Sequence, residues 1–153
     1  MDLFTCRILI ADTHKAVQDI LGVLEGKALE VLHAYSFEQA VAHARASKPH
    51  LCLVGYHFDH SRPYRLIQQL RHELGEQVPI LLIRVLPTSQ HDPDEDRIKT
   101  SYRTLGANEY LPLYEQAASA GWAAARQRLA EQVGASLKAA NCLFEDRPAR
   151  NGA

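Results

Sequence analysis

Two rhythms of hydrophobic residues alternate along the chain. Short, nearly continuous apolar runs occur at Arg7-Ile8-Leu9-Ile10-Ala11-Asp12, Leu29-Glu30-Val31-Leu32-His33-Ala34, Pro49-His50-Leu51-Cys52-Leu53-Val54-Gly55, Val78-Pro79-Ile80-Leu81-Leu82-Ile83 and, shorter, Asn108-Glu109-Tyr110-Leu111. Runs without alternation belong to strands buried on both faces, as in parallel sheets covered by helices. Between them apolar residues recur every three or four positions: Val17, Ile20, Leu21 and Leu24; Phe37, Ala40, Val41 and Ala44; Leu66, Ile67, Leu70 and Leu74; Ile98, Tyr102 and Leu105; Ala118, Trp122, Ala125, Leu129 and Val133. This spacing puts one apolar stripe on each of five helices. Boundary residues agree: Gly26 stops the first helix, and Ser36 with Gln39 has the capping-box form. Pro49 ends the second helix, Ser61 and Pro63 begin the third, and Gly106 ends the fourth. The polar segment Pro87 to Asp96 reads as a loop, and the last helix as one long element reaching about Leu137. Strands alternating with helices imply right-handed crossovers and an α/β doubly wound parallel sheet in three α/β/α layers. Residues 1–140 form one such domain, and 141–153 are expected to be a disordered tail.

Composition narrows the function classes. The 153 residues are 46% hydrophobic and 23% charged, with a net charge of −1, so no general basic field exists for nucleic acid. No apolar run approaches the ~18 residues of a membrane helix, and the start lacks a signal-peptide pattern. Cys6, Cys52 and Cys142 are odd in number and widely spaced, with no C-x-x-C motif, which reads as a reduced, cytoplasmic protein with Cys52 as a small buried hydrophobe.

In open parallel sheets chemistry sits just past the carboxyl ends of the strands. There the central run ends in Gly55, a residue with no side chain. The first strand ends in Asp12, and Ala11-Asp12-Thr13-His14-Lys15 carries no glycine, which excludes the usual glycine-lined mononucleotide or flavin loop. No nucleophile-elbow motif is present, so a hydrolase is not indicated. His57 and His60 follow the third strand and would lie near Asp12, a weak H-x-x-H metal signal that exposed or capping histidines explain better. The acidic stretch Asp92-Pro93-Asp94-Glu95-Asp96 lacks the spacing of a calcium loop and reads as a solvated helix N-terminus.

The order and content of Arg7–Asp12, Pro49–Gly55, Pro79–Arg84 and Gly106-Ala107-Asn108-Glu109-Tyr110-Leu111 resemble the receiver domain of bacterial two-component response regulators, over roughly residues 7 to 138. The resemblance implies a flavodoxin-like (βα)5 fold with strand order 2-1-3-4-5. It also aligns the family's phosphorylation residues with this chain, where most are replaced. The acidic pair falls on Asp12 and Thr13, the phosphoacceptor Asp on Gly55, the Thr or Ser on Arg84, the Lys on Leu113 and the following Pro on Tyr114. Phosphoryl transfer to a carboxylate needs that carboxylate as nucleophile, with magnesium and a Lys to neutralise the transferring group. The expectation is therefore a stand-alone pseudo-receiver: no enzyme, no cofactor, phosphorylation-independent, acting by contact with a protein partner such as a kinase, a regulator or an assembly component. Arg84 is expected to reach toward Asp12. The resemblance implies docking, or homodimerisation, on the face of the fourth helix, fifth strand and fifth helix, with Tyr102, Tyr110, Tyr114 and Trp122 as candidate anchors. Neither nucleic acid nor a membrane is an expected partner. The alternative is a small-ligand or metal sensor in the crevice that Gly55 vacates, with Asp12, Arg84, His57 and His60 as polar contacts.

Overall fold

Cys6–Ala11 (β1), Leu29–Ala34 (β2), Leu51–Gly55 (β3), Ile80–Ile83 (β4) and Glu109–Leu111 (β5) pair in parallel, in the order β2-β1-β3-β4-β5. The helices are His14–Leu24 (α1), Phe37–Ser47 (α2), Phe58–Ser61 (α3), Pro63–Leu74 (α4), Pro93–Ser101 (α5), Leu113–Ala120 (α6) and Trp122–Ala139 (α7). This computed structural model describes residues 5–61, 63–85 and 93–142, with the backbone alone at 60, 61 and 93–96. The expected tail beyond Cys142 lies outside the described residues.

The strands are apolar throughout because alternate residues serve opposite layers. Ile8, Ile10, Leu51, Leu53, Leu81 and Ile83 face one cluster with Val17 and Ile20 of α1, Leu113 of α6 and Leu129 and Val133 of α7. Leu9, Ala11, Cys52, Val54, Ile80 and Leu82 face the other, with Ala40 and Val41 of α2, Leu66, Ile67 and Leu70 of α4 and Ile98 of α5. A two-residue side-chain period thus fills two cores from one set of strands.

Four expectations change. The last helix is two helices: Gly121, at φ +90°, breaks the chain between α6 and α7. Ala118, on α6, is exposed and so is Trp122, which opens α7 at 37% exposure. The apolar stripe of α7 therefore begins at Ala125, not at Ala118. The expected loop up to Asp96 enters helix α5 at Pro93, and residues 86–92 lie outside the described ones. Proline suits a first helical turn, where its missing N–H costs nothing. Ser61, expected to begin the third helix with Pro63, instead ends a separate one-turn helix that the buried Phe58 starts, and Pro63 opens α4.

The fourth change concerns the cysteines. Cys6 and Cys142 form a disulfide with Cα atoms 5.8 Å apart, while Cys52 remains a buried thiol. β1 starts, and α7 returns, at the amino-terminal pole of the sheet, so the two cysteines meet. Asn141 and Cys142 consequently belong to the domain and not to a tail. Asn141, at φ +58°, donates its amide to Lys138 (3.0 Å) and Cys142 donates to Leu137 (2.8 Å), the two hydrogen bonds of a Schellman cap on α7.

Candidate functional site

Strand register assembles the site. Ala11 of β1 lies opposite Val54 of β3, and Gly55 lies opposite Ile83 of β4. The next residues on the three strands, Asp12, Tyr56 and Arg84, therefore emerge together at the carboxyl-end crevice. The main chain pins each one. Asp12 donates its amide to the Ala34 carbonyl (3.3 Å), Tyr56 to Ile83 (2.7 Å) and Arg84 to Leu111 (3.0 Å).

The Asp12 side chain occupies the space in front of Gly55. A Cβ built on Gly55 would stand only 1.9 Å from Asp12 Cγ, far inside van der Waals contact. The crevice expected to be vacant is thus filled by this chain's own carboxyl group. Thr13 donates its amide to Asp12 Oδ1 (2.8 Å), while the Thr13 hydroxyl accepts from the Ala16 amide (3.3 Å) and caps α1. Thr13, at the position aligned with an acid, has a structural task. Asp12 is 3% exposed, and its pKa is pushed up to about 7 by burial, against a smaller lowering from the Thr13 N–H.

Arg84 neither enters water nor pairs with Asp12. It is fully buried, and among the described residues no ion pair joins it to Asp12. Its guanidinium carbon lies 4.2 Å from the Tyr56 ring centroid and 4.8 Å from that of Tyr114. The sandwich follows from the backbone, because Tyr114 donates its amide to the Arg84 carbonyl (3.2 Å) while Tyr56 hangs on Ile83. Each aromatic face attracts the guanidinium through its ring electrons, and the flat cation stacks well between two of them. Tyr56 had no assigned role in the sequence; the clue was its place directly after Gly55, beside the residue that follows β4.

Magnesium, which the receiver resemblance implies, does not fit this donor set. Among the described residues it would find a single carboxyl group, Asp12, whose pKa burial pushes up to about 7, with the neighbouring ligand position taken by that same group. Leu113 has turned away from the crevice and is buried in the cluster of Ile83, Val85 and Leu111. Of the three residues in the weak metal signal, His57 packs edge-on to Tyr56 (5.1 Å), and the His60 side chain lies outside the described residues. Among the described residues no three His, Cys, Asp or Glu side chains are grouped to hold a metal.

The proposed anchors are scattered in burial and position. Tyr110 is buried on β5 with Tyr102 beside it, ring centroids 6.4 Å apart. Tyr114 is half-buried against Arg84, and Trp122 alone of the four is exposed. A Lys99–Glu115 ion pair (2.9 Å) links the α5 and α6 side of that face.

With this geometry in hand, comparison with solved structures is informative. A putative response regulator from Chloroflexus aurantiacus superposes with a TM-score of 0.65 at 26% identity, covering 88% of this chain and 99% of that one. The phosphorylated cyanobacterial phytochrome response regulator RcpA gives 0.68 at 18% identity, covering 94% and 100%. A CheY-like receiver domain protein from Methanospirillum hungatei gives 0.65 at 17%, covering 90% and 98%. The chain has the fold of response-regulator receiver domains, and its strand order 2-1-3-4-5 is the flavodoxin-like order consistent with that fold. No protein-family model matches the sequence, and no curated protein does. Among the described residues no helix is long and apolar enough to cross a membrane.

Proposed function

We propose that this chain is a signalling module that keeps the receiver scaffold and has given up phosphoryl chemistry, working instead through contact with a protein partner. One observation carries the reading. Where an acyl phosphate would form, Gly55 offers no side-chain oxygen, and the Asp12 carboxyl fills the space a new side chain would need. Asp12 itself is a poor substitute nucleophile, since burial keeps it largely protonated below neutral pH. Arg84, held between Tyr56 and Tyr114, stands where a mobile hydroxyl would be needed to follow a phosphoryl group. The module then rests in one conformation, and its output is set by who binds it. The face around α5, β5 and the start of α7 offers Trp122 as an exposed anchor.

The test is incubation with a small acyl-phosphate donor and magnesium, followed by intact mass measurement at neutral pH. No phosphate adduct is expected. An adduct mapped to Asp12 or any crevice residue would overturn the reading.

A further inference from the structure

The disulfide joins two unequal ends. Cys6 opens β1, opposite Leu29 of β2, and is fully buried. The next residue anchors it. The Arg7 guanidinium donates to the Ser47 (2.7 Å) and Lys48 (3.2 Å) carbonyls at the end of α2. The Arg7 amide donates to His50 Nδ1 (2.9 Å), and the His50 amide returns a bond to the Arg7 carbonyl (2.8 Å). Cys142 lacks such a frame. It follows the Schellman turn, flanked by exposed Lys138, Ala139 and Asn141, and beyond Leu137 it is the next residue of α7's end to reach the core. Opening one turn of helix exposes Cys142 Sγ; exposing Cys6 requires breaking the sheet.

We propose that Cys6–Cys142 is a reversible thiol–disulfide site, reduced by a dithiol, that fastens and releases the last turn of α7 while β1 stays in place. One donor thiolate attacks Cys142 Sγ, the Cys6–Cys142 bond breaks, and Cys6 leaves as a thiolate that takes up a proton. The donor's second thiolate then attacks the donor sulfur of the mixed disulfide and releases Cys142, which is protonated in turn. The donor ends as a disulfide, and two electrons and two protons have passed to the protein. Cys52 takes no part: it is buried in β3, and burial pushes its thiol up to about 12. The site lies at the pole opposite the crevice and does not depend on the proposed signalling role.

The experiment uses the full chain purified without reductant, then treated with dithiothreitol and reoxidised with glutathione disulfide. Alkylation under native conditions should label neither Cys6 nor Cys142 before treatment and Cys142 alone afterwards, with Cys6 shown to be a free thiol by labelling after denaturation. Amide hydrogen exchange across 133–142 should rise at least about tenfold on reduction, with β1 unchanged, and reverse on reoxidation. The Cys142→Ser variant should show the fast exchange without reductant. Labelling of both cysteines before treatment would overturn the proposal. So would a bond that native protein protects from dithiothreitol, or an exchange increase spread equally over β1.

Discussion

At Gly55 a single added methyl group would collide with the Asp12 carboxyl. Gly55→Ala should therefore cost about 1–3 kcal/mol, the usual range for overpacking a tight core. In an Asp12→Ala background the cost should largely vanish, and a double-mutant cycle by urea unfolding would show coupling of that order. Asp12 also carries a pH signature. Its folded pKa, raised to about 7, exceeds the ordinary carboxyl value of 3.8, so the folded state holds the proton more tightly than the unfolded one. The stabilisation is whole below pH 3.8, falls as pH rises and is gone above about 7. At roughly 1.4 kcal/mol per unit this amounts to at most about 4 kcal/mol. Asp12→Asn should flatten that slope in denaturation curves taken between pH 4 and 8, and should be the more stable protein at pH 8. The absence of a carboxylate at Gly55 was legible from the alignment of motifs. The position of the Asp12 carboxyl was not, because a rotamer choice depends on space that only the neighbouring strand defines. The Arg84 expectation failed for a related reason. Charge suggested Asp12 as its partner, whereas the rings of Tyr56 and Tyr114 surround it. Arg84→Thr should cost roughly 2–4 kcal/mol, from two stacking contacts and the lost packing of a long side chain, seen as a clear drop in melting temperature.

Among the elements, periodicity located all five strands and the inner faces of α1, α2 and α4; of the fourth stripe only Ile98 falls on α5, which ends at Ser101 and leaves Tyr102, Leu105 and the expected stop Gly106 beyond it. It failed where a helix is too short or too bland to show a stripe. α3 is one turn, and α6 buries only Leu113 outright. An alanine-rich stretch such as Ala117–Ala120 carries no period to read, and Gly121 was the punctuation that was missed. The end of α7 depends on Asn141 in the left-handed region. Asn141→Gly should be neutral or slightly stabilising, while Asn141→Val should lose about 1 kcal/mol, because a β-branched residue resists that backbone shape. Thermal melting of the two variants in reducing buffer isolates the cap from the disulfide. The opposite order would mean that the Schellman turn does not form.

For the whole molecule, layering followed from alternation of element types and strand order from the resemblance to receivers, and the observed sheet and the receiver likeness at 26% identity agree. The disulfide did not follow from counting cysteines. An odd number and wide spacing suggested none, yet the topology brings the first strand's start and the last helix's end to the same pole. Pole assignment, added to cysteine counting, would have found the pair. Closing a loop of 136 residues stabilises the fold by up to about 5 kcal/mol through the unfolded chain's lost entropy. That bond also gives the domain a mechanical character. A stretching force applied through segments before Cys6 and after Cys142 would run from one sulfur to the other and bypass the sheet. The oxidised domain behaves as an inextensible link, transmitting tension with its fold intact. Reduced, the same load would fall on α7 first and peel it from the strands.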